Sequence, residues 1–84
     1  MQSRVVEVQS EAGLHARPAS EFVNTAQRFT ANVKLTADGK TVDGKSILGI
    51  LSLGIAKGTQ VEITVDGADE EEALAALAHI VAQS

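Results

Sequence analysis

Residues 32–42, NVKLTADGKTV, contain the strongest short-range signal for the fold. The apolar side chains at 33, 35 and 37 alternate with polar ones, as in a strand with one buried face. Asp38-Gly39 follows, and a second short run then reaches Val42. Because Asp-Gly between two such runs is typical of a β-hairpin, these residues predict two antiparallel strands joined by a tight turn.

Two more stretches alternate in the same way. Arg4 to Gln9 places Val6 and Val8 on one face and polar residues on the other, which predicts a half-buried first strand. The last strand has the clearest alternation, with Val61, Ile63 and Val65 separated by Glu62 and Thr64.

Three segments have the periodicity of helices. From Ala16 to Phe29 apolar residues recur every three or four positions, and the only proline, Pro18, suits the first turn of a helix. A compact helix is expected from Ser46 to Leu53. A terminal helix is expected after Asp69, which stands three residues before Glu72 in the pattern of a capping signal and precedes an apolar stripe.

The order of elements is therefore strand, helix, strand, strand, helix, strand, helix, with no linker or repeat between them. Four short strands and helices of about ten residues predict an α+β fold, in which a four-stranded antiparallel sheet carries three helices on one face. Residues 1–84 are expected to form a single domain.

Composition limits the possible functions. The core must be built from aliphatic residues, because Phe22 and Phe29 are the only aromatic residues. No cysteine is present, which excludes disulfides and thiolate metal sites. The net charge of −4 and the scattered basic residues argue against binding to nucleic acid. No stretch has the length of a membrane span and no signal region follows Met1, so we expect a soluble, cytoplasmic protein.

Residues 13–20, GLHARPAS, combine features that could serve one reaction. His15 stands at the mouth of the first predicted helix, where unpaired N–H groups carry about half a positive charge and attract a phosphoryl group. The same positive end favours a neutral, nucleophilic imidazole. Ala16 and Pro18 belong to this helix start, and Arg17 adds a permanent charge with a planar fork of donors. A lone histidine here is more often a solvated capping residue, but the combination with Arg17, Pro18 and Gly13 favours a phosphoryl acceptor.

Residues 13–19, GLHARPA, resemble the active-site signature of HPr, the histidine-containing phosphocarrier of the bacterial sugar phosphotransferase system. Residues 44–54, GKSILGILSLG, resemble that family's second signature, and the likeness covers the full chain. The resemblance implies an open-faced β-sandwich. It also implies that enzyme I, charged by phosphoenolpyruvate, phosphorylates His15 through Nδ1, and that His15 then donates to the IIA domains of sugar permeases. Arg17 would steady the phosphohistidine. Retention of the histidine argues against relatives that replace it and serve regulation alone.

The second predicted helix suggests a docking surface, because it is apolar on nearly every side while only one face can reach the core. A fully buried helix is the alternative, although so small a chain could hardly cover it. Ser46 is expected to cap this helix. In some members of the family the matching serine is also phosphorylated by an ATP-dependent kinase. The residues we expect to contact partners are Ser20, Ile47, Leu48, Leu51 and Gly54.

Two other functions remain as alternatives. Residues 39–46, GKTVDGKS, formally match a nucleotide-binding P-loop, but the segment fits a hairpin better and the chain is too short for the parallel sheet that supports this motif. The chain could also be a purely regulatory protein-binding module in which His15 never carries phosphate. His79 is expected to be an ordinary helical residue. The acidic residues from Asp69 to Glu72 are expected to interact favourably with the dipole of their own helix.

The sequence thus predicts a monomeric bacterial phosphocarrier without a cofactor or metal, itself a phosphorylated intermediate and not an enzyme. The expected partners are enzyme I and IIA domains, with HPr kinase/phosphorylase and a carbon-catabolite transcription regulator as further partners. Neither nucleic-acid binding nor membrane insertion is expected.

Overall fold

The computed structural model describes residues 1–83. Its elements follow the predicted order of strands and helices, and none of the helices in this range is long and apolar enough to cross a membrane. The elements are β1 (Gln2–Glu7), α1 (Ala16–Ala26), β2 (Asn32–Ala37), β3 (Lys40–Asp43), α2 (Ile47–Ser52), β4 (Gln60–Asp66) and α3 (Glu70–Gln83).

The four strands form one antiparallel sheet in the order β1-β4-β2-β3. Ile63 of β4 lies opposite Arg4 of β1 and opposite Leu35 of β2. The alternation in β2 and β4 buries one face of these strands under the helices and turns the other toward solvent. On the solvent face, the hydroxyls of Thr36 and Thr41 form a cross-strand hydrogen bond of 2.8 Å. The α+β fold predicted from the sequence is therefore confirmed.

The core lies between this sheet and the helices. Helix α3 packs against β1, β4 and α1, while α1 also packs against α2. Phe22 is the only aromatic residue that is fully buried, and no polar or charged side chain is buried among residues 1–83. The fold therefore depends on close packing of aliphatic side chains. The largest fully buried side chains are Phe22, Leu35, Ile50, Ile63 and Leu77, with Val8, Val33, Val61, Val65 and Val81.

The β2–β3 hairpin turns at Asp38 and Gly39, with φ angles of 51° and 79°. Two successive positive φ values define the turn whose twist matches that of the flanking strands. The hairpin predicted from the Asp-Gly pair is therefore confirmed.

Helix α1 ends at Ala26, three residues earlier than the periodicity predicted. The N–H groups of Arg28 and Phe29 bond three residues back, to Thr25 and Ala26, so the chain tightens and leaves the helix. Phe29 still packs against the core from the loop, which explains why its spacing looked helical. Strand β1 spans Gln2–Glu7, so it both begins and ends two residues earlier than predicted.

The start of α3 differs from the prediction in its capping. The carboxylate of Asp69 does not cap its own helix but accepts hydrogen bonds from the backbone N–H groups of Thr30 and Ala31, both at 2.9 Å. Glu70 Oε1 instead accepts from the N–H of Gly67 at 3.0 Å. The expected side-chain cap at Asp69 is therefore wrong, because a partner distant in sequence uses that carboxylate.

Candidate functional site

The loop before α1 is held against the loop that follows α2. Leu14 is buried and its N–H donates to the carbonyl of Ile55 at 3.0 Å. Gly13 has a φ of +71°, and a Cβ at this position would overlap the Ile55 carbonyl. Only glycine fits this conformation and this close approach. Backbone contacts of Gly13 and Leu14, together with the buried Leu14 side chain, thus hold the segment before His15 in place.

His15 is the N-cap residue of α1, with an extended backbone (φ −86°, ψ −166°). Its carbonyl accepts the N–H of Ala19 at 3.0 Å, but its side chain makes no capping hydrogen bond and is exposed. Since Pro18 has no N–H, the donors left at the helix start are those of Ala16 and Arg17, which have no acceptor among the described residues. The imidazole is therefore accessible, and two backbone donors at the helix start remain free to bind an anion.

A shallow cleft of about 290 Å³ opens beside this histidine. Its walls come from the loop before α1, from the first two turns of α1 and from the end of α3. The volume is ample for the three oxygens of a phosphoryl group. The lining residues are Ser10, His15, Arg17, Pro18, Glu21, Ile80 and Gln83.

Arg17 lines the same cleft as His15. Its side chain is 88% exposed, and Nε lies 3.8 Å from Oε1 of Glu21, one helical turn further on. An exposed ion pair of this kind contributes only about 0–1 kcal/mol, so the guanidinium can readily exchange this partner for another. The structure thus brings Arg17 to the cleft of His15, with a partner that the sequence analysis did not name.

Four lining residues were missed by the sequence analysis. Glu21 could have been found, because it stands four positions after Arg17 and such pairs meet on a helix surface. Ser10, Ile80 and Gln83 could not have been found from local spacing, since α3 reaches the cleft only through its packing on α1.

Helix α2 has one buried side and a broad exposed apolar surface. Ile50 is fully buried, whereas Leu48 is 78% exposed and Ile47 and Leu51 are 37% and 39% exposed. We call these three exposed side chains the α2 patch. The expectation of a partly exposed helix is therefore confirmed, and the fully buried alternative is wrong.

The start and end of α2 have distinct geometries. Ser46 is the N-cap, with Oγ accepting the N–H of Gly49 at 3.1 Å, as predicted. Gly54 follows the helix with a φ of +61° and is exposed, just before the segment that bonds to Leu14. Ser20 is half-buried on α1. Only a few residues therefore separate the α2 patch from Ile55, whose carbonyl is bonded to the loop of His15.

The P-loop-like segment does not form a phosphate-binding loop. Its residues 40–43 are strand β3, paired with β2. Lys45, the lysine of the motif, donates from Nζ to the carbonyl of Phe29 at 2.9 Å, and its own N–H donates to Asp43 Oδ1 at 3.0 Å. The segment therefore provides neither a phosphate-binding loop nor a free lysine, which argues against nucleotide binding.

The second histidine, His79, lies on α3 and is exposed beside a shallow groove with Arg4. Within residues 1–83, no group of three acidic or histidine side chains is close enough together to hold a metal ion.

Comparison with known proteins identifies relatives along the whole chain. The family model PTS-HPr, described as the PTS HPr component phosphorylation site, matches residues 2–83. The HPr-like protein Crh of Bacillus subtilis (strain 168) is 49% identical over 81 residues, which covers 96% of this chain and 95% of Crh. The crystal structure of phosphocarrier protein HPr from Bacillus anthracis str. Ames has a TM-score of 0.90 at 50% identity and covers 95% of both chains.

A crystal structure of Bacillus subtilis Crh, described as a domain-swapped, intertwined dimer, has a TM-score of 0.79 at 48% identity. It covers 99% of this chain and 95% of that chain.

Proposed function

The chain belongs to the HPr family of phosphocarrier proteins, and we propose that His15 carries a phosphoryl group from enzyme I to the IIA domains of sugar permeases. The observation that supports this role best is the exposed side chain of His15, which makes no capping hydrogen bond and lies at the helix start with the free N–H groups of Ala16 and Arg17. Unpaired N–H groups at the start of a helix are suitable donors for a phosphoryl dianion. In this role the chain is a substrate of enzyme I and of the IIA domains and does not itself turn over.

The test of this proposal is transfer of labelled phosphate. Incubation with enzyme I and labelled phosphoenolpyruvate should put one acid-labile label on the chain, as phosphohistidine is acid-labile. His15→Ala should take up none, and His79→Ala, which removes the other exposed histidine, should match the wild type. Label that survives in His15→Ala would refute the assignment of the acceptor.

The α2 patch is proposed as the surface on which these partners dock, together with Ser20 and Gly54. Its exposed apolar side chains lie on a helix that packs against α1, and His15 caps α1. Interfaces of this type have an apolar centre with a polar rim. The chain is proposed to act as a monomer, and light scattering should then give a mass of 8.7 kDa rather than twice that value.

A regulatory role is the second candidate, and the position of Ser46 favours it. Its Oγ lies at the N-terminus of α2, at the edge of the α2 patch, so a phosphate there would change both the charge and the shape of the docking surface. Asp43, whose carboxylate accepts from the Lys45 N–H, would oppose the added charge. HPr kinase/phosphorylase with ATP should modify the wild type and spare Ser46→Ala. No incorporation into the wild type would exclude this role.

A further inference from the structure

Glu21 is the only acidic residue that lines the cleft of His15 in the part of the chain that the structure describes. It lies one helical turn after Arg17, and Oε1 stands 3.8 Å from Arg17 Nε. Apart from Arg17 and His15, the other residues that line the cleft have no titratable side chain. A single carboxylate therefore shares both the cleft and the guanidinium with any phosphoryl group on His15.

We propose that Glu21 is a positioning residue that weakens the hold of His15 on its phosphoryl group, by competing with that group for the guanidinium of Arg17. The inference rests on the proposed function and adds a determinant of the equilibrium of transfer. In the unphosphorylated chain Glu21 pairs with Arg17. After transfer, the positive charge of Arg17 is divided between Glu21 and the phosphoryl group, so the guanidinium stabilises the phosphoryl group less than it would without Glu21.

Charge and protons are conserved in the transfer of the phosphoryl group to His15. The lone pair of Nδ1 on the neutral His15 forms the new N–P bond while the bond from phosphorus to the donor breaks, and its electron pair stays on the donor. The proton on Nε2 stays where it is. The cleft thus gains a phosphoryl dianion, and the number of negative groups competing for Arg17 rises while the number of cations does not.

The size of the effect follows from the exposure of the groups. Arg17 is 88% exposed and Glu21 is 59% exposed, so water screens their interaction. The loss of one exposed ion pair changes an equilibrium constant by a factor of about two to five. Glu21→Gln removes the competitor while keeping the length of the side chain. It should raise the equilibrium constant for phosphorylation of His15 by about two- to fivefold.

The experiment measures the phosphorylated fraction at equilibrium with enzyme I, at fixed ratios of phosphoenolpyruvate to pyruvate. Glu62→Gln is the matched control, because it makes the same change of charge on the solvent face of the sheet and should leave the equilibrium unchanged. In an Arg17→Gln background, Glu21→Gln should have no effect, since the shared partner is already gone. An unchanged equilibrium in Glu21→Gln, or an equal increase in both backgrounds, would overturn the proposal.

A second measurement follows the guanidinium directly. The Arg17 Nε–H resonance should shift on phosphorylation of the wild type, and Glu21→Gln alone should shift it without phosphate. An Arg17 resonance that shifts neither on phosphorylation nor in Glu21→Gln would also overturn the role of Glu21. Failure of the wild type to accept any label is a different result, because it would overturn the proposed function and this inference together.

Discussion

At the scale of single residues, the accessibility of His15 depends on the two residues before it. Leu14 is buried, and its N–H is bonded to Ile55. Gly13 allows the backbone to turn with positive φ directly against that same carbonyl. Because these neighbours are held inward, the following imidazole is left at the surface at the start of α1.

Two glycines with positive φ allow a matched test of this fit. Gly13→Ala meets the Ile55 backbone, whereas the added methyl group in Gly54→Ala meets open space. The positive φ alone should cost about 1–2 kcal/mol in either variant. Gly13→Ala should lose more, about 3 kcal/mol or above, since the overlap with the backbone is added. The free energy of unfolding in urea measures both, and equal losses would show that the close approach does not matter.

At the scale of elements, Asp69 joins the start of α3 to the loop between α1 and β2. The hydrogen bond from the Thr30 N–H, followed by that from Ala31, lowers the pKa of the Asp69 carboxyl below its ordinary value of 3.8, although partial desolvation opposes the shift. Hydrogen bonds to a carboxylate favour its charged form. This single side chain therefore links segments that lie 38 and 39 positions apart.

The depressed pKa predicts how stability changes with pH. The hydrogen bonds stabilise the ionised carboxylate of Asp69 in the folded chain and not in the unfolded chain. This stabilisation is complete above the unfolded pKa of 3.8 and is lost as the pH falls through the lower pKa of the folded chain. Asp69→Asn should thus be less stable than the wild type at neutral pH, and the two urea midpoints should converge in acid. Glu62→Gln, which removes an exposed carboxylate on β4 away from any helix start, should show no such convergence. Parallel midpoints for Asp69→Asn would contradict the role of these hydrogen bonds.

At the scale of the whole molecule, leucine side chains divide between two uses. Leu77 of α3 is fully buried in the core, whereas Leu48 of the α2 patch is 78% exposed. Burial contributes to folding, while an exposed apolar side chain contributes only when a partner covers it. The same residue type should therefore give opposite results in the two positions.

Truncation to alanine separates these uses. Leu77→Ala should destabilise the fold by about 2–5 kcal/mol because it leaves a cavity. Leu48→Ala should change stability by less than about 0.5 kcal/mol. It should nevertheless slow transfer from enzyme I at low concentration by about tenfold, as expected for an interface residue. Urea unfolding and the rate of label uptake are the two measurements. Transfer from enzyme I at the wild-type rate would exclude Leu48 from the docking surface.

The sequence predicted most of the fold because local patterns and tertiary packing agree. The alternation around the Asp-Gly pair, the apolar stripe of α1 and the Ser46 cap each appear in the structure as expected. The prediction was wrong at the end of α1 and at the cap of α3. Phe29 continued the helical spacing from a loop, and Asp69 gave its carboxylate to another segment.

Local periodicity and residue type were enough to predict the order of the elements, the position of His15 at a helix start and the apolar character of α2, because they act over a few neighbouring positions. The set of side chains that share the cleft depends instead on how the elements pack together. Packing of α3 on α1 brings Ile80 and Gln83 beside His15, and the fold of the loop presses Gly13 onto Ile55. Contacts of this kind join residues far apart in the chain, and no local spacing encodes them.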